Sequence, residues 1–504
     1  MLGEEQALTA LAADRPALVW RTIVADTETP VGAALKLMEP QRGDFLLESV
    51  EGGAVRGRYS LLGLDPDLVF RAERGEASIN RQWRSDRAAF ETYSDNPVTA
   101  LRALSEECRI AVPEGLPPAL ACLVGYFAYE TIGMVEAVLR AAEPGLGLPD
   151  MVFVRPTLLF VFDSLGDELH CIAPIWPDSE SDPSGQMEAA RNRIATALQR
   201  LERARAPANP APTGKLPEAR LDPVMAADDY TAMVDRAKEY IVAGDIFQVV
   251  LSQRYTCPFP LPPVELYRAL RRVNPSPFLY FLDLPDFAVV GSSPEILVRV
   301  RPDRDGANEV TVRPIAGTRP RGADDQADRA AEESLLSDAK ERAEHLMLLD
   351  LGRNDVGRVA QSGSVEVTDS FTIERYSHVM HIVSNVVGRL DPKFDAVDAL
   401  FAGFPAGTVS GAPKLRACQI IAELERDARG PYAGGVGYFA PDGSLDSCIV
   451  LRTAVVKDGT MHVQAGAGIV ADSDPQYERR ECEAKAGALR AAAAEAFRQA
   501  EQRA

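Results

Sequence analysis

The stretch EILVRVRPDRDGANEVTVRPIAG (295–317) sets two runs alternating apolar and polar residues on either side of Asp305-Gly306. Alternation with period two buries one face of a strand, and an Asp-Gly pair supplies the backbone freedom of a tight turn. The stretch therefore predicts a β-hairpin and antiparallel pairing. Working outward toward the N-terminus, FLYFLDL (278–284) and IFQVVLSQRYT (246–256) read as strands, and PVELYRALRRV (263–273) and DDYTAMVDRAKEYIVAG (228–244) as helices. On the other side, ADDQADRAAEESLLSDAKERAEHLMLLDLGR (323–353) reads as a long helix open to a break. Further strands follow, then an Ala-rich helix from about residue 475.

Short strand-like runs dominate the first 200 residues: DFLLESV (44–50), RYSLLGL (58–64), DLVFRAE (67–73), ACLVGYFAYE (121–130) and TLLFVFD (157–163). Helical patches lie among them at 96–107 and 184–205. Strands thus come in groups with helices between groups, without strict β-α-β alternation, which predicts an α+β fold built on antiparallel sheets. The Pro- and Ala-rich stretch RARAPANPAPTGKLPEARLDP (203–223) reads as a linker or exposed excursion. It divides an N-terminal region, 1–202, from a C-terminal region, 224–504.

The 504 residues allow about three domains or lobes by length alone. With 46% hydrophobic and 25% charged residues the chain is not a disordered one. Its formal charge of −20 argues against nucleic acid or an anionic membrane surface as the main partner. The seven cysteines are scattered without a C-x-x-C pair, so neither a disulfide framework nor a zinc cluster is expected. The N-terminus MLGEEQALTA is acidic where a signal peptide is basic, and the most apolar stretch, PALACLVGYFAY (118–129), is too short to span a bilayer. A soluble, cytoplasmic protein is expected.

Several constellations offer chemistry. Glu341/Glu344 and Glu478/Glu481 are carboxylate pairs at i, i+3, each on one helical face. Should the faces meet, repulsion would raise their pKa values unless a cation sat between them, and oxygen-only ligation suits Mg²⁺. Each pair alone reads first as an ordinary solvated face, with Arg342, Arg479 and Arg480 at hand for ion pairs. His378 and His381 lie three apart in a β-branched run, which predicts a strand and opposite faces. A joint metal site is excluded on that reading, while one histidine facing a cleft suits proton transfer. FPAGTVSGAPKLRACQIIAEL (404–424) is a Gly/Ser/Thr loop entering a helix, but Lys414 is followed by Leu415 and the phosphate-loop pattern is not met. It remains either a carboxylate-binding turn or a capped helix. Arg452, in the strand-like IVLRTAVV, and Lys485, one turn beyond Glu481, are candidate anion ligands, and GAGIV (466–470) permits close backbone approach.

Taken in order, these segments resemble the chorismate-utilising enzymes, and within them the component I chains of anthranilate synthase. LLES (46–49), RYSLLG (58–63), GDIFQVVLSQR (244–254), NPSPF (274–278), GSSPE (291–295) and PIAGTRPRG (314–322) carry the first half of the match. ERAEHLMLLDLGRNDVGRV (341–359), YSHVMHIVS (376–384), FPAGTVSGAPK (404–414), YAGGVGYF (432–439), LRTA (451–454) and GAGIVADSDP (466–475) carry the second. The resemblance implies antiparallel β-sheets packed as a sandwich with surrounding helices. It implies that Glu341, Glu344, Glu478 and Glu481 face each other across Mg²⁺. It implies His381, Thr408, Lys485 and Gln248 as catalytic residues, and Ala316, Gly317, Thr318, Tyr432, Arg452, Gly466 and Gly468 as substrate-binding ones.

Two positions discriminate within the family. Ala316 stands where aminodeoxychorismate synthases carry a lysine that attacks the ring, and alanine has no nucleophile. Gln248 stands where isochorismate and salicylate synthases carry a lysine that activates water, which leaves ammonia as nucleophile. The implied reaction is ammonia attack at C2 of chorismate with loss of the 4-hydroxyl, then loss of pyruvate to give anthranilate. LLES and NPSPF resemble a tryptophan-binding regulatory pocket, implying feedback inhibition through Leu47, Glu48, Ser49, Arg58, Asn274, Pro275, Pro277, Phe278 and Leu279. Phe278-Leu279 replace the usual Tyr-Met, and Ala484 replaces a usual Asn before Lys485. No glutaminase signature is present, so glutamine-derived ammonia requires a separate amidotransferase subunit in a heterotetramer. The competing readings are aminodeoxychorismate synthase component I and a non-catalytic tryptophan sensor.

Overall fold

The computed structural model describes residues 1–51, 55–93, 96–138, 143–177, 182–203, 215–376 and 379–503. His378 and most of the 203–223 stretch lie outside them. The hairpin expected over 295–317 forms: strand Ile296–Pro302 pairs antiparallel with Asn308–Val312, Pro302 opposite Asn308, and Gly306 turns the chain at φ 80°. Asp303 closes the turn, its carboxylate accepting from the N–H groups of Asp305 and Ala307.

Among the described residues, two antiparallel sheets of twelve strands each carry the fold. In the first, strand Asp44–Glu48 lies between Tyr59–Leu64 and Phe278–Leu284, and Thr460–Ile469 lies between Thr453–Lys457 and Gln248–Pro258. In the second, the hairpin is flanked by Leu445–Ile449 on one side and Val379–Arg389 on the other. Each sheet takes strands from both sides of the 203–223 stretch: Asp44–Glu48 pairs with Phe278–Leu284 in one, and Leu123–Phe127 with Gly435–Phe439 in the other. The inner faces meet in a cluster containing Phe45, Tyr126, Tyr280 and Phe287, where Tyr126 and Phe287 pack edge to face at 5.8 Å. The α+β sandwich is therefore the observed architecture.

Helices cover the outer faces. The C-terminal helix, Pro475–Glu501, buries Cys482, Ala486, Leu489, Ala493, Ala496 and Phe497, a stripe at helical spacing that packs Phe497 on Phe259 at 5.4 Å. The 323–353 stretch does break: Asp325–Ser337 ends and Ala339–Gly357 begins at Asp338. The Asp338 carboxylate caps the new helix by accepting from the N–H groups of Lys340 and Glu341, which places Glu341 in its first turn. All seven cysteines are free and buried. Among the described residues no helix is long and apolar enough to cross a membrane; the apolar 118–129 run supplies the buried strand Leu123–Phe127 instead.

Arg452 is not inside a strand, contrary to the expectation from IVLRTAVV. Strand Leu445–Ile449 belongs to the second sheet and Thr453–Lys457 to the first, so the chain changes sheets across residues 450–452. Arg452 makes that turn at φ 47°, a left-handed conformation seldom adopted by a side chain of its size.

Candidate active site

The site lies where the first sheet's strands Gln248–Pro258 and Thr460–Ile469 approach helices Ala339–Gly357 and Pro475–Glu501. Gln248 Nε2 donates to Glu344 Oε1 at 3.4 Å. Gly468 on the neighbouring strand leaves room for that amide: a Cβ there would sit 2.4 Å from Gln248 Nε2 and push the flexible side chain aside. Lys485 Nζ donates to Gly466 O at 2.9 Å and pairs with Glu481 Oε1 at 2.8 Å. Lys340 on one helix and Lys485 on the other each act on both Glu344 and Glu478, so the two carboxylate pairs share one field.

Within each pair the outer and inner members differ. Glu341 meets Arg319 at 3.1 Å and Glu481 meets Lys485, whereas Glu344 and Glu478 have no ion pair among the described residues. Burial, reinforced by the neighbouring carboxylate three residues away, holds both inner groups above the usual carboxylate range. Among the described residues no three acidic, histidine or cysteine side chains form a ready-made metal cage. Two inner carboxylates with unmatched charge fit Mg²⁺ nonetheless, because that ion keeps several waters and takes one or two protein carboxylates.

On the opposite wall, strand Ile315–Pro320 pairs with Val379–Arg389 through a bulge: Ala316 faces Ile382 and Thr318 faces His381, leaving Gly317 unpaired at φ 67°. The bulge turns the Gly317 carbonyl onto His381 Nδ1 at 2.9 Å. A carbonyl only accepts, so Nδ1 carries the proton and Nε2 keeps its lone pair. Burial is the main cause, and Arg452 a further one, that pushes His381 down to about 4, leaving a neutral imidazole at neutral pH. The Tyr376 ring stands 5.6 Å from it.

Glu295 is a site residue the sequence reading missed. It ends GSSPE, is 5% exposed, and burial raises its carboxyl to about 8, against the opposing pull of Thr408 and the Ile315 N–H. The buried Thr408 hydroxyl closes no well-formed hydrogen bond. The loop holding Thr408 is clamped from below: Arg429 donates to Val409 O at 2.8 Å and Val250 O at 2.7 Å while paired with Glu425 at 2.6 Å. Burial of a charge in ELERDARG was the missing signal, and only packing reveals it. Lys414, the other cation of that loop, is spent on Asp355 at 2.8 Å, so the 404–424 segment holds no free lysine for an anion. Tyr432 is buried, with its hydroxyl beside Gly466. Arg452, half-buried, meets no carboxylate among the described residues, and burial lowers its pKa.

A second cavity of about 460 Å³ lies between the sheets. Leu47, Glu48, Ser49, Arg58, Phe278 and Leu279 line it, facing Arg301, Tyr438 and Asp446 of the other sheet. Asn274, Pro275 and Pro277 are not in its lining; the Asn274 amide donates to Ser292 Oγ at 3.2 Å. The charges here are matched. Glu48 takes Arg271 at 2.8 Å and the Tyr267 hydroxyl at 2.6 Å, Arg58 takes Asp163 at 2.7 Å, and Asp446 takes Arg299 and Arg301.

The model of the chorismate binding enzymes matches residues 44–491. The chain is 52% identical over 480 residues to the anthranilate synthase component 1 of Cereibacter sphaeroides, covering 95% of both chains. It is 47% identical to that of Pseudomonas putida, covering 94% of each. The crystal structure of anthranilate synthase component I from Streptococcus pneumoniae superposes with a TM-score of 0.74 at 35% identity, over 93% of this chain and 99% of that one.

Proposed function

The chain belongs to the chorismate binding enzymes and acts on chorismate, and from that premise we propose how it does so: it makes anthranilate and pyruvate from chorismate and ammonia. One observation carries the choice of nucleophile. Ala316, on the strand paired beside His381, and Gln248, bonded to Glu344, offer no amine to serve as ring nucleophile or water-activating base, which supports an attacking nitrogen from outside the chain.

Arg452 fits a substrate carboxylate, since its guanidinium has no acid of its own. Lys485 and Tyr432, flanking Gly466, bound the ring's other side. Glu344 and Glu478, with Glu341 and Glu481 beside them, would hold Mg²⁺, which would supply Lewis-acid charge for the ring carboxylate. The buried Glu295 carboxyl, protonated at neutral pH, gives the proton with which the 4-hydroxyl leaves as water as nitrogen attacks C2, and its carboxylate then takes the proton that the new ammonium sheds. His381 Nε2, neutral and aimed by the Gly317 carbonyl, takes the C2 proton as the C3–O bond breaks and the ring becomes aromatic, and returns it to the methylene carbon of the departing enolate to give pyruvate. Two groups with pKa values pushed apart thus divide the acid and base work.

Ammonia from glutamine is the work of a partner amidotransferase in a cytoplasmic heterotetramer. The inter-sheet cavity, with its internally matched charges, suits a zwitterion with an apolar body, and tryptophan as feedback inhibitor has that chemistry. Chorismate, Mg²⁺ and ammonium salt, assayed with and without tryptophan, should give fluorescent anthranilate with equimolar pyruvate. Aminodeoxychorismate without pyruvate, or salicylate, would overturn the assignment.

A further inference from the structure

A third cavity, of about 400 Å³, lies on the outer face of the first sheet beneath helix Pro183–Glu202. Strand Tyr59–Leu64 separates it from the inter-sheet cavity: Tyr59 and Leu61 point into that one, while Leu64 points into this. Its floor is apolar, made by Leu37, Leu64 and Leu158. Four arginines ring it, Arg42, Arg84, Arg193 and Arg200, against a single lining acid, Asp65. In a chain of formal charge −20 that local excess is unusual.

The four guanidiniums are not equivalent. Arg42 is held by Asp44 at 2.7 Å, Arg84 by Asp65 at 2.9 Å, and Arg200 by Glu39 at 3.3 Å. Arg193 has no ion pair among the described residues. Its Nη2 donates to Pro174 O at 3.2 Å, and its Nε is shut from solvent with no acceptor among the described residues. An unmet buried donor on a charged group costs more than one exchanged with water. Asn192, Thr196 and Arg200 share the cavity-facing strip of the same helix, so polar groups converge around Arg193.

We propose that this cavity binds a small organic anion, a carboxylate or phosphate head on an apolar body, with the head on Arg193 and the body on the leucine floor. Its size lies within the range of small-molecule sites, and its pattern of apolar floor with few convergent polar groups is theirs. The assignment is independent of the chemistry proposed for the cleft.

Calorimetric titration of the full chain with benzoate, phenyl phosphate and neutral benzamide tests it. One of the anions should bind at one site per chain, about tenfold or more tighter than benzamide, which lacks the charge. The stronger of the two anions identifies the head group. Arg193→Gln should weaken binding about tenfold or more. Thr196→Trp, which fills the cavity while keeping every charge, should abolish it and so covers a misfolded Arg193→Gln. Arg452→Gln should leave it intact. Absence of binding, equal binding of benzamide, indifference to both cavity variants, or loss in Arg452→Gln would each overturn the proposal, the last by moving the ligand to the cleft.

Discussion

The catalytic cleft and the inter-sheet cavity are both lined by charged groups, yet they treat charge in opposite ways. In the cavity, Glu48 is answered by Arg271 and Tyr267, Asp446 by Arg299 and Arg301, and Arg58 by Asp163. In the cleft, Glu344, Glu478 and Arg452 have no ion partner among the described residues, and Glu295 and His381 escape the cost of burial by being neutral. A buried charge left unmatched by the fold is stabilised only by what binds there. The cleft is thus the region whose charges the fold leaves unmatched among the described residues, while the cavity's charges are paired within the protein.

The comparison breaks most visibly at the inner carboxylates. Chelation of divalent cations, or Glu344→Gln and Glu478→Gln, should lower turnover about a thousandfold, the scale of several kcal/mol of lost charge stabilisation. Thermal stability should hold or rise in both variants, because a poorly matched charge has been removed. A large fall in melting temperature would show that these groups are structural.

Glu295→Gln and His381→Ala should each lower kcat about a hundredfold or more with chorismate KM little changed. The pH profile separates them. Glu295 is competent as an acid only while protonated, so kcat should fall as pH rises through about 8, and Glu295→Gln should remove that limb. His381 is competent as a base only while neutral, so its limb appears as pH falls toward about 4. A profile unchanged in Glu295→Gln would assign the alkaline limb elsewhere.

Two arginines sharpen the contrast. Arg271→Met strands the buried Glu48 carboxylate and should cost about 3–5 kcal/mol of stability, read by denaturant unfolding. Arg452→Gln should raise chorismate KM about ten- to a hundredfold with no such loss, since it breaks no pair. The smallest effect is expected at Tyr280, which lines the cavity and whose hydroxyl donates to Thr453 Oγ1 at 2.6 Å, next to Arg452. Tyr280→Phe should change tryptophan inhibition by about a few-fold, the scale of one hydrogen bond, and leave uninhibited kcat alone. Inhibition unchanged in that variant would rule out this contact as the link between the two regions.

The hairpin at 295–317, the helix at 263–273 and the strand at 278–284 were legible because short-range periodicity and turn chemistry act within a few residues. So was the chemical character of Glu341, Glu344, Glu478 and Glu481, whose i, i+3 spacing is a local property of helices. The field they share was not, because Glu344 and Glu478 are 134 positions apart in the sequence and only the fold sets Lys340 and Lys485 near both. Arg452 looked like a strand residue because its neighbours are β-branched; the change of sheet that turns it to φ 47° is a decision of the sandwich. Glu295 escaped notice for the same reason. Nothing in GSSPE announces burial, and its rise to about 8 is created by the apolar surroundings that only packing assembles. Local pattern is enough to mark the Glu-x-x-Glu carboxylates, His381 and Lys485 as candidates for acid, base and anion-binding chemistry, but neither Glu295 nor the turn that holds Arg452. Tertiary structure alone decided which charges are matched and which are left waiting, because desolvation depends on neighbours distant along the chain.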